Sequence, residues 1–391
     1  MNIQIDGTST HNKGAELMLY AVVQEIERRY PDANVLFPLL GLKEGASYIQ
    51  TTLNFKQRQI PLLVKIFVAL HGPGILHRVF HVPFLYTSNK YAVKDIDIVL
   101  DAGGFQFSDQ MDAASNMEVV LWEKYLCRLK KQGTKLIYLP QAFGPFETAN
   151  GKKLARILQI YADCLIVREE ISYKHLISAG VEQRKILLYP DFTALVEGKF
   201  PGQFEHLKGG IAIIPNMRMM DKGATTIDTY IDILIQIINL CKKSEKRPFL
   251  LNHEGEGDLS LCQTINSKLQ EQLPVVANLN ALEVKGIISQ CYMTVSSRFH
   301  GVASSLSTSV PCLATSWSHK YEMLFKDFGM QGCVLDLDNR EMILQKMKDF
   351  LNPDYNQTLR QQLNAAIPHI KDRNREMWLK VWDAVKNKNL I

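Results

Sequence analysis

The 391-residue chain lacks most of the signatures that fix a chemistry at a glance. No two of its seven cysteines form a CxxC pair, and the odd count argues against a disulfide framework or a zinc ribbon. Most of them sit in apolar segments and read as small buried hydrophobes. There is no GxSxG elbow, no GxxxxGK[ST] phosphate loop and no HExxH metal pair. No apolar run reaches the ~18 residues of a membrane-spanning helix. The start, MNIQIDGTST, has neither a basic leader nor an apolar signal core, so the expectation is a reducing cytoplasm. Neither sign of charge dominates. The net charge of +5 is small for the length, and the lysines and arginines are dispersed. A nucleic-acid partner is therefore not expected.

What is present is an ordinary globular composition, 46% hydrophobic and 22% charged. The chain is too long for one comfortable core, so two domains are expected. Short apolar runs alternate with helical stretches: Asn2–Ile5, Ala33–Phe37, Ile96–Leu100, Lys135–Leu139 and Cys164–Arg168. The helix "GAELMLYAVVQEIERRY" puts Leu19, Val22, Val23, Ile26 and Tyr30 on one face. Leu195–Gly210, with four glycines and a proline, reads as a linker. A second alternation follows it, with strands at Ile211, Pro248, Cys291, Pro311 and Cys333. The fold class expected is α/β: two Rossmann-like domains whose parallel sheets face a central cleft. The boundaries expected are 1–197 and 198–365. Residues 366–391 form a terminal helix that is a candidate to pack back on the first domain.

One segment, Ile60–Tyr86, is apolar but interrupted by Lys65, His71, Arg78, glycines and prolines. It is a candidate for peripheral contact with the inner face of a membrane. The competing reading is a pair of buried helices or a lid.

In open parallel sheets, ligands sit beyond the carboxyl ends of the strands, so the loops there matter most. "SSRFHGVASSLSTSVPCLA" follows one such strand. Ser296, Ser297, Arg298 and His300 arrive at the strand end, and Gly301 permits close backbone approach. "VASSLSTS" then starts a tightly packed helix, whose amino end favours an anion. Arg298 adds a planar fork suited to phosphate or carboxylate, and His300 a proton carrier near neutral pH. The alternative is a structural arginine paired with an acidic neighbour. Arg218 and Lys320 stand past two further strands of the same half. In "DAGGFQFSD", Asp101, Gly103, Gly104, Gln106 and Asp109 suit a tight turn that grips sugar hydroxyls or supplies a base. "HNKGAE" places Asn12 and Gly14 in a loop, with Glu16 in a first helical turn. His253 opens "HEGEGD", whose glycines argue against a helix and whose acids argue against a pyrophosphate; it reads as a polar cleft loop.

Taken in order, "HNKGAE", "AGGFQFSD", "LPQAFGPF", "REEISYKHLISAG", "YPDFTAL", "NMR" and "SSRFHGVASSLSTSVPCLATSWSHKY" resemble the polysaccharide pyruvyl transferase family. The likeness spans roughly residues 5–330 of the sequence. It implies a GT-B-like fold with phosphoenolpyruvate as donor and no cofactor or metal. The acceptor implied is a sugar with two suitable hydroxyls, often in a lipid-linked or cell-surface glycan. The product implied is a cyclic pyruvate ketal, with phosphate released. By this resemblance Arg218, Arg298 and His300 bind and activate the donor, with Lys320 a further match; Ser296, Ser297, Gly301 and His253 are donor-side candidates from their place at the strand ends. The acceptor falls to Asn12, Glu16, Gly103, Gly104, Gln106, Gln141 and Arg168, with Asp101 or Asp109 as base. The first loop reads Gly-Ala-Glu where many relatives have Gly-Asp-Glu. The rival readings are a nucleotide-sugar glycosyltransferase of the same architecture and a non-catalytic glycan-binding protein.

Overall fold

A computed structural model describes residues 1–10, 12–36, 96–109, 116–220, 226–316 and 319–386. Ile60–Tyr86, the candidate membrane contact, lies outside them. No helix among the described residues is long and apolar enough to cross a membrane. The chain divides into two compact units: Met1–Thr10, Met18–Pro190 and Glu376–Ile391 form the first, His11–Leu17 and Asp191–Arg375 the second.

The first unit holds a six-stranded parallel sheet: β1 (Asn2–Asp6), β2 (Asn34–Leu36), β3 (Ile98–Asp101), β4 (Lys135–Gln141), β5 (Cys164–Val167) and β6 (Ile186–Leu188). Their order across the sheet is β2-β1-β3-β4-β5-β6. Nearly every residue of β3, β4 and β5 is buried, as expected when helices cover both faces. Those helices include α1 (Lys13–Arg29), α2 (Asn116–Lys131), α3 (Ala149–Tyr161) and α4 (Glu170–Ser178). Because the order reverses between β1 and β3, the crevice at their carboxyl ends is the natural ligand position.

The second unit repeats the plan with β7 (Ile211–Ile214), β8 (Pro248–Leu251), β9 (Val275–Val276), β10 (Met293–Ser296), β11 (Cys312–Thr315) and β12 (Val334–Leu335). The order β12-β11-β10-β7-β8-β9 is the doubly wound arrangement, with its reversal between β7 and β10. The strand period shows directly in β7. Ile211 and Ile213 enter one apolar cluster, Ala212 and Ile214 another on the opposite face. Helices α5 (Ile227–Lys243), α6 (Gly255–Ser267), α7 (Ala281–Ser289), α8 (Phe299–Leu306), α9 (His319–Asp327) and α10 (Arg340–Leu351) complete this unit, and α11 (Pro353–Lys386) ends the described chain. Helix α11 runs through Pro368 without a break. Within the first unit, Trp378 and Trp382 stack with centroids 5.8 Å apart, and Trp382 Nε1 donates to Glu25 Oε1 at 2.8 Å. Six cysteines are buried and Cys127 is partly so, all as free thiols.

Two local expectations are corrected. The glycine-rich stretch 195–210 is not a slack linker. A Cβ on Gly198 would lie 2.5 Å from the Gly286 backbone nitrogen, and Lys199 N–H donates to Leu282 O at 2.8 Å. Glycine is there for close backbone packing. "HEGEGD" is not a loop either, because α6 begins at Gly255. Gly255 takes φ +54°, and Glu256 and Asp258 fall in the first turn, where the helix dipole favours acids. Glycine is costly in a helix interior but tolerable at its start.

Candidate active site

In the second unit, the end of β10 and the loop after β7 meet at the sheet's reversal. Ser297 N–H donates to Ile214 O at 2.9 Å, and Asn216 Nδ2 donates to Ser297 O at 2.9 Å. Asn216 also caps the turn Met217–Met219 by accepting the Arg218 N–H at 2.9 Å. The Ser297 hydroxyl is buried between Tyr230 and Thr315, and Tyr321 donates to its carbonyl at 2.8 Å. Ser296 Oγ accepts the Arg298 N–H at 3.1 Å and donates to Arg298 O at 3.0 Å, which folds the chain tightly into α8. The small residues after it have a steric reason. A Cβ on Gly301 would collide with Ser296 Oγ, and Ser305 Oγ bonds Thr294 Oγ1 at 2.7 Å, so α8 lies close on β10. The helix therefore starts earlier than expected: Arg298 is its cap residue and His300 is in its first turn.

Arg298 is 8% exposed and already engaged. Its Nε and Nη2 donate to Asp258 at 2.7 and 2.6 Å, and Nη1 contacts Glu254. The arginine thus has the acidic neighbours of the alternative reading, both from α6 or its cap. Glu254 also accepts from Asn12 Nδ2 at 2.9 Å. Burial raises the Asp258 carboxyl, while the Met217 N–H and the Arg218 charge pull it down; the two-bond grip of Arg298 favours the carboxylate. His253 is buried and held well below the usual histidine range, first by burial and then by the charges of Arg298, His300 and Lys13. His300 is 9% exposed, and its Nε2 lies 3.5 Å from Asp191 Oδ2. Arg218 is exposed. Lys320, at the start of α9, places its ammonium 5.8 Å from the Tyr321 ring centroid.

Residues 12–17 complete this cluster. Asn12 caps α1 by accepting the Gly14 and Ala15 N–H groups at 2.7 and 3.2 Å. Gly14 lies against the His300 ring, where any Cβ would meet Nδ1 and Cγ. Glu16 is fully buried, pairs with Lys13 at 2.6 Å and accepts the Ala281 N–H at the head of α7 at 2.9 Å.

The first unit gathers a separate polar group at its own reversal. Asp6 and Asp101 end β1 and β3 and are direct partners in the parallel register. Asp101 accepts from Gln141 Nε2 at 2.9 Å, Gln106 Nε2 at 2.9 and 2.7 Å and Gly103 N–H at 3.1 Å. Burial raises its carboxyl, and those three donors oppose the rise. Asp6 accepts from Gln4 Nε2 and Tyr125 OH, both at 2.8 Å. Burial, with Asp101 alongside, pushes it up to about 7. Gly103 needs its missing side chain, since a Cβ would lie 2.6 Å from Gln106. Gly104 accepts the Ala142 N–H at 3.1 Å and has ordinary room for a Cβ. Arg168 is buried at the end of β5 and donates its backbone N–H to Gln141 O at 3.2 Å. Asp109 stands apart. It binds Thr148 Oγ1 at 2.5 Å and the Glu147 and Thr148 N–H groups at 2.5 and 2.9 Å, bracing the start of α3. Burial pushes its carboxyl up, but the Thr148 and Glu147 donors and Lys152 outweigh that and lower it.

The Asp6 carboxyl has a pH consequence. Its proton is retained up to about 7 in the folded chain, against roughly 3.9 for an unperturbed aspartate. The folded state therefore holds a proton that the unfolded state releases between those values. Stability falls as pH rises through that window and levels off above it, by at most ~4 kcal/mol. Asp6→Asn removes this term. The melting temperature of D6N minus that of wild type is expected to rise by several degrees from pH 5 to pH 8. Equal differences at both pH values would assign the titration elsewhere.

Asp6 and Asp191 have no role in the sequence reading, and Glu254 and Asp258 enter it only as acids that argue against a pyrophosphate. The only signal for Asp6 was its place at the end of the first strand. Asp191 lies inside "YPDFTAL", a motif that carries the family likeness but no local sign of chemistry.

The comparisons agree on the architecture. HepE of Anabaena, solved with UDP and glucose, superposes with a TM-score of 0.61 at 9% identity over 99% of both chains. The UDP-GlcNAc 2-epimerase of Methanocaldococcus jannaschii, solved with UDP-GlcNAc and UDP, gives 0.59 at 11% identity, over 98% of this chain and 100% of that one. These likenesses show the GT-B-like fold expected from the sequence. By sequence, the amylovoran biosynthesis protein AmsJ of Erwinia amylovora is 22% identical over 301 residues, 71% of this chain and 70% of that protein. Residues 12–319, from the cap of α1 to the start of α9 and so across both switch-point clusters, match polysaccharide pyruvyl transferase, and the chain belongs to that family.

Proposed function

We propose that this protein transfers pyruvate from phosphoenolpyruvate to two hydroxyls of one sugar, in a glycan precursor that is lipid-linked or bound for the cell surface. The observation that carries this reading is the placement of Arg298 and His300 at the head of α8, on the second unit's switch point, inside a chain of this family. The donor is a three-carbon frame bearing a carboxylate and a phosphate. Arg298 and Arg218 supply fixed positive charge for it, Lys320 adds a further cation, and the backbone N–H groups at the start of α8 add donors. Fixed charge of this kind stabilises the leaving phosphate without a metal.

The chemistry balances as follows. One hydroxyl oxygen bonds to C2 of the donor while C3 takes a proton and becomes a methyl group. The C2–phosphate bond breaks as an oxocarbenium-like centre forms, and the second hydroxyl oxygen bonds to it. Of the two hydroxyl protons released, one replaces that delivered to C3 and the other leaves with phosphate. His300 is the proton donor to C3 or to the phosphate oxygen. Asp101 is the better base for the acceptor hydroxyl, because its carboxyl is raised whereas Asp109 is lowered and committed to α3. Gln106 and Gln141, which donate to the Asp101 carboxylate, and Arg168 are the residues proposed to hold the acceptor. The proposed location is the cytoplasm, at the inner face of the membrane.

The test is incubation with phosphoenolpyruvate and a panel of acceptors, following inorganic phosphate and the mass gain of a carboxyethylidene group. A nucleotide-sugar enzyme would instead release a nucleoside diphosphate. A non-catalytic glycan binder would retain sugar binding after His300→Ala and form no product.

The engaged state of Arg298 yields a second expectation. Glu254 competes with an incoming anion for Nη1. Glu254→Gln keeps the hydrogen-bonding shape but removes that charge, so the KM for phosphoenolpyruvate is expected to fall by about 3- to 10-fold, as for loss of one partly buried like-charge contact. A KM that rises would instead make Glu254 a group that orients the arginine.

A further inference from the structure

The segment leading into β7 carries a carboxylate for which neither the motif pattern nor the proposed chemistry has a use. Asp191 caps the turn Phe192–Leu195 through Oδ1, which accepts the Thr193 N–H at 3.0 Å and its hydroxyl at 2.5 Å. Asn374 Nδ2 donates to the Asp191 carbonyl at 2.9 Å. Both ends of the residue are thereby fixed, and Oδ2 points at the His300 ring, 3.5 Å from Nε2. The two side chains are 6% and 10% exposed. Among the described residues, Nε2 of His300 has no hydrogen-bond partner. The opposite edge of the ring, with Nδ1, lies on Gly14, the one residue type that leaves it room.

Lys285 lies behind the carboxylate. It is 1% exposed, and its Nζ donates to Thr193 O at 2.8 Å. Burial lowers its ammonium to about 7, with the Asp191 charge working against that fall. Asp191 thus sits between a buried amine and a buried imidazole, and no bulk water screens either interaction.

We propose that Asp191 is the positioning residue for His300: Oδ2 takes the Nε2–H, fixes the ring, and leaves Nδ1 as the nitrogen that carries the working proton. When Nδ1 gives its proton to the donor, the Nδ1–H bond breaks and a C–H or O–H bond forms. The ring returns to the neutral form with its proton on Nε2, still directed at Asp191. The 3.5 Å separation is longer than a hydrogen bond, as catalytic contacts often are in the absence of substrate. The role of Nδ1 in the reaction rests on the pyruvyl-transfer reading; the ring's orientation and tautomer do not.

Long-range nitrogen–proton NMR on protein labelled at histidine nitrogens tests both parts, with the His300 signals assigned by their loss in His300→Asn. Wild-type protein at alkaline pH is expected to show the Nε2–H tautomer. In Asp191→Asn the amide NH2 faces the ring and inverts the tautomer to Nδ1–H. The same variant is expected to lose at least ~10²-fold in kcat, with KM for phosphoenolpyruvate within about 3-fold of wild type. An Nδ1–H tautomer in the wild-type protein overturns the proposal, and that measurement needs no variant to fold. A D191N enzyme with wild-type kcat overturns it as well. Should wild-type protein show the expected tautomer but release no phosphate from phosphoenolpyruvate, the donor assignment fails while the positioning role of Asp191 is upheld.

Discussion

His300→Asn is expected to lower turnover by ~10²- to 10⁴-fold, the usual worth of a positioned proton donor. The substitution keeps a polar tip but removes the imidazole that is proposed to donate the proton. His300 Nε2 makes no hydrogen bond among the described residues, and the asparagine amide still offers an N–H donor on the side of Asp191 Oδ2. The folded state should consequently survive: the melting temperature is expected within a few degrees of wild type. The KM for phosphoenolpyruvate should change far less than kcat, because binding is assigned to the fixed cations and not to the imidazole. Initial rates of phosphate release across donor concentrations separate the two parameters. A variant retaining a tenth or more of wild-type kcat would remove His300 from the chemistry and return the site to binding alone.

Arg298→Lys is expected to act on both stability and donor affinity. The guanidinium satisfies both oxygens of Asp258 and also meets Glu254. An ammonium is a point charge and cannot reproduce a fork with three simultaneous contacts. Asp258 is 1% exposed and would lose part of its pairing away from water. Breaking a buried pair outright costs ~3–5 kcal/mol and the ammonium keeps part of it, so thermal unfolding should move down by a few degrees. The KM for phosphoenolpyruvate should rise by about 10-fold, as for loss of one charge-assisted contact through Nη1. Rates measured well below the new melting point keep the two effects apart. A lysine variant with wild-type kcat/KM and a lowered melting point would leave Arg298 a purely structural residue.

Much of the architecture was legible because a buried parallel strand writes itself as a short apolar run. β3, β4 and β10 were read within a few residues of their bounds for that reason. β6 and β9 were not, at three and two residues long on sheet edges, where "ILL" and "VV" are too brief to show a period. The start of α6 was misread because glycine content outweighed position; a helix's first turn tolerates what its middle does not. The site was legible where function sits on strand ends, hence Asp101, Arg298 and His300. Its counter-charges were not. Asp258 and Glu254 lie 40 and 44 positions from Arg298, and nothing local in a sequence records such a pairing. The same holds for Asp191 and His300, and for Asp6 and Asp101, joined only by the register of β1 on β3.

Two helices change allegiance along their length: residues 11–17 belong with the second unit, and Glu376–Ile391 return to the first. A growing chain consequently emerges from the ribosome with its first unit unfinished. The contact of Trp382 with Glu25 forms only after more than 350 further residues have been made, and Asn12 Nδ2 meets its acceptor only once Glu254 has emerged. Neither half can be made complete by cutting after Pro190, and split or truncated forms would each expose apolar surface until the missing piece was supplied in trans.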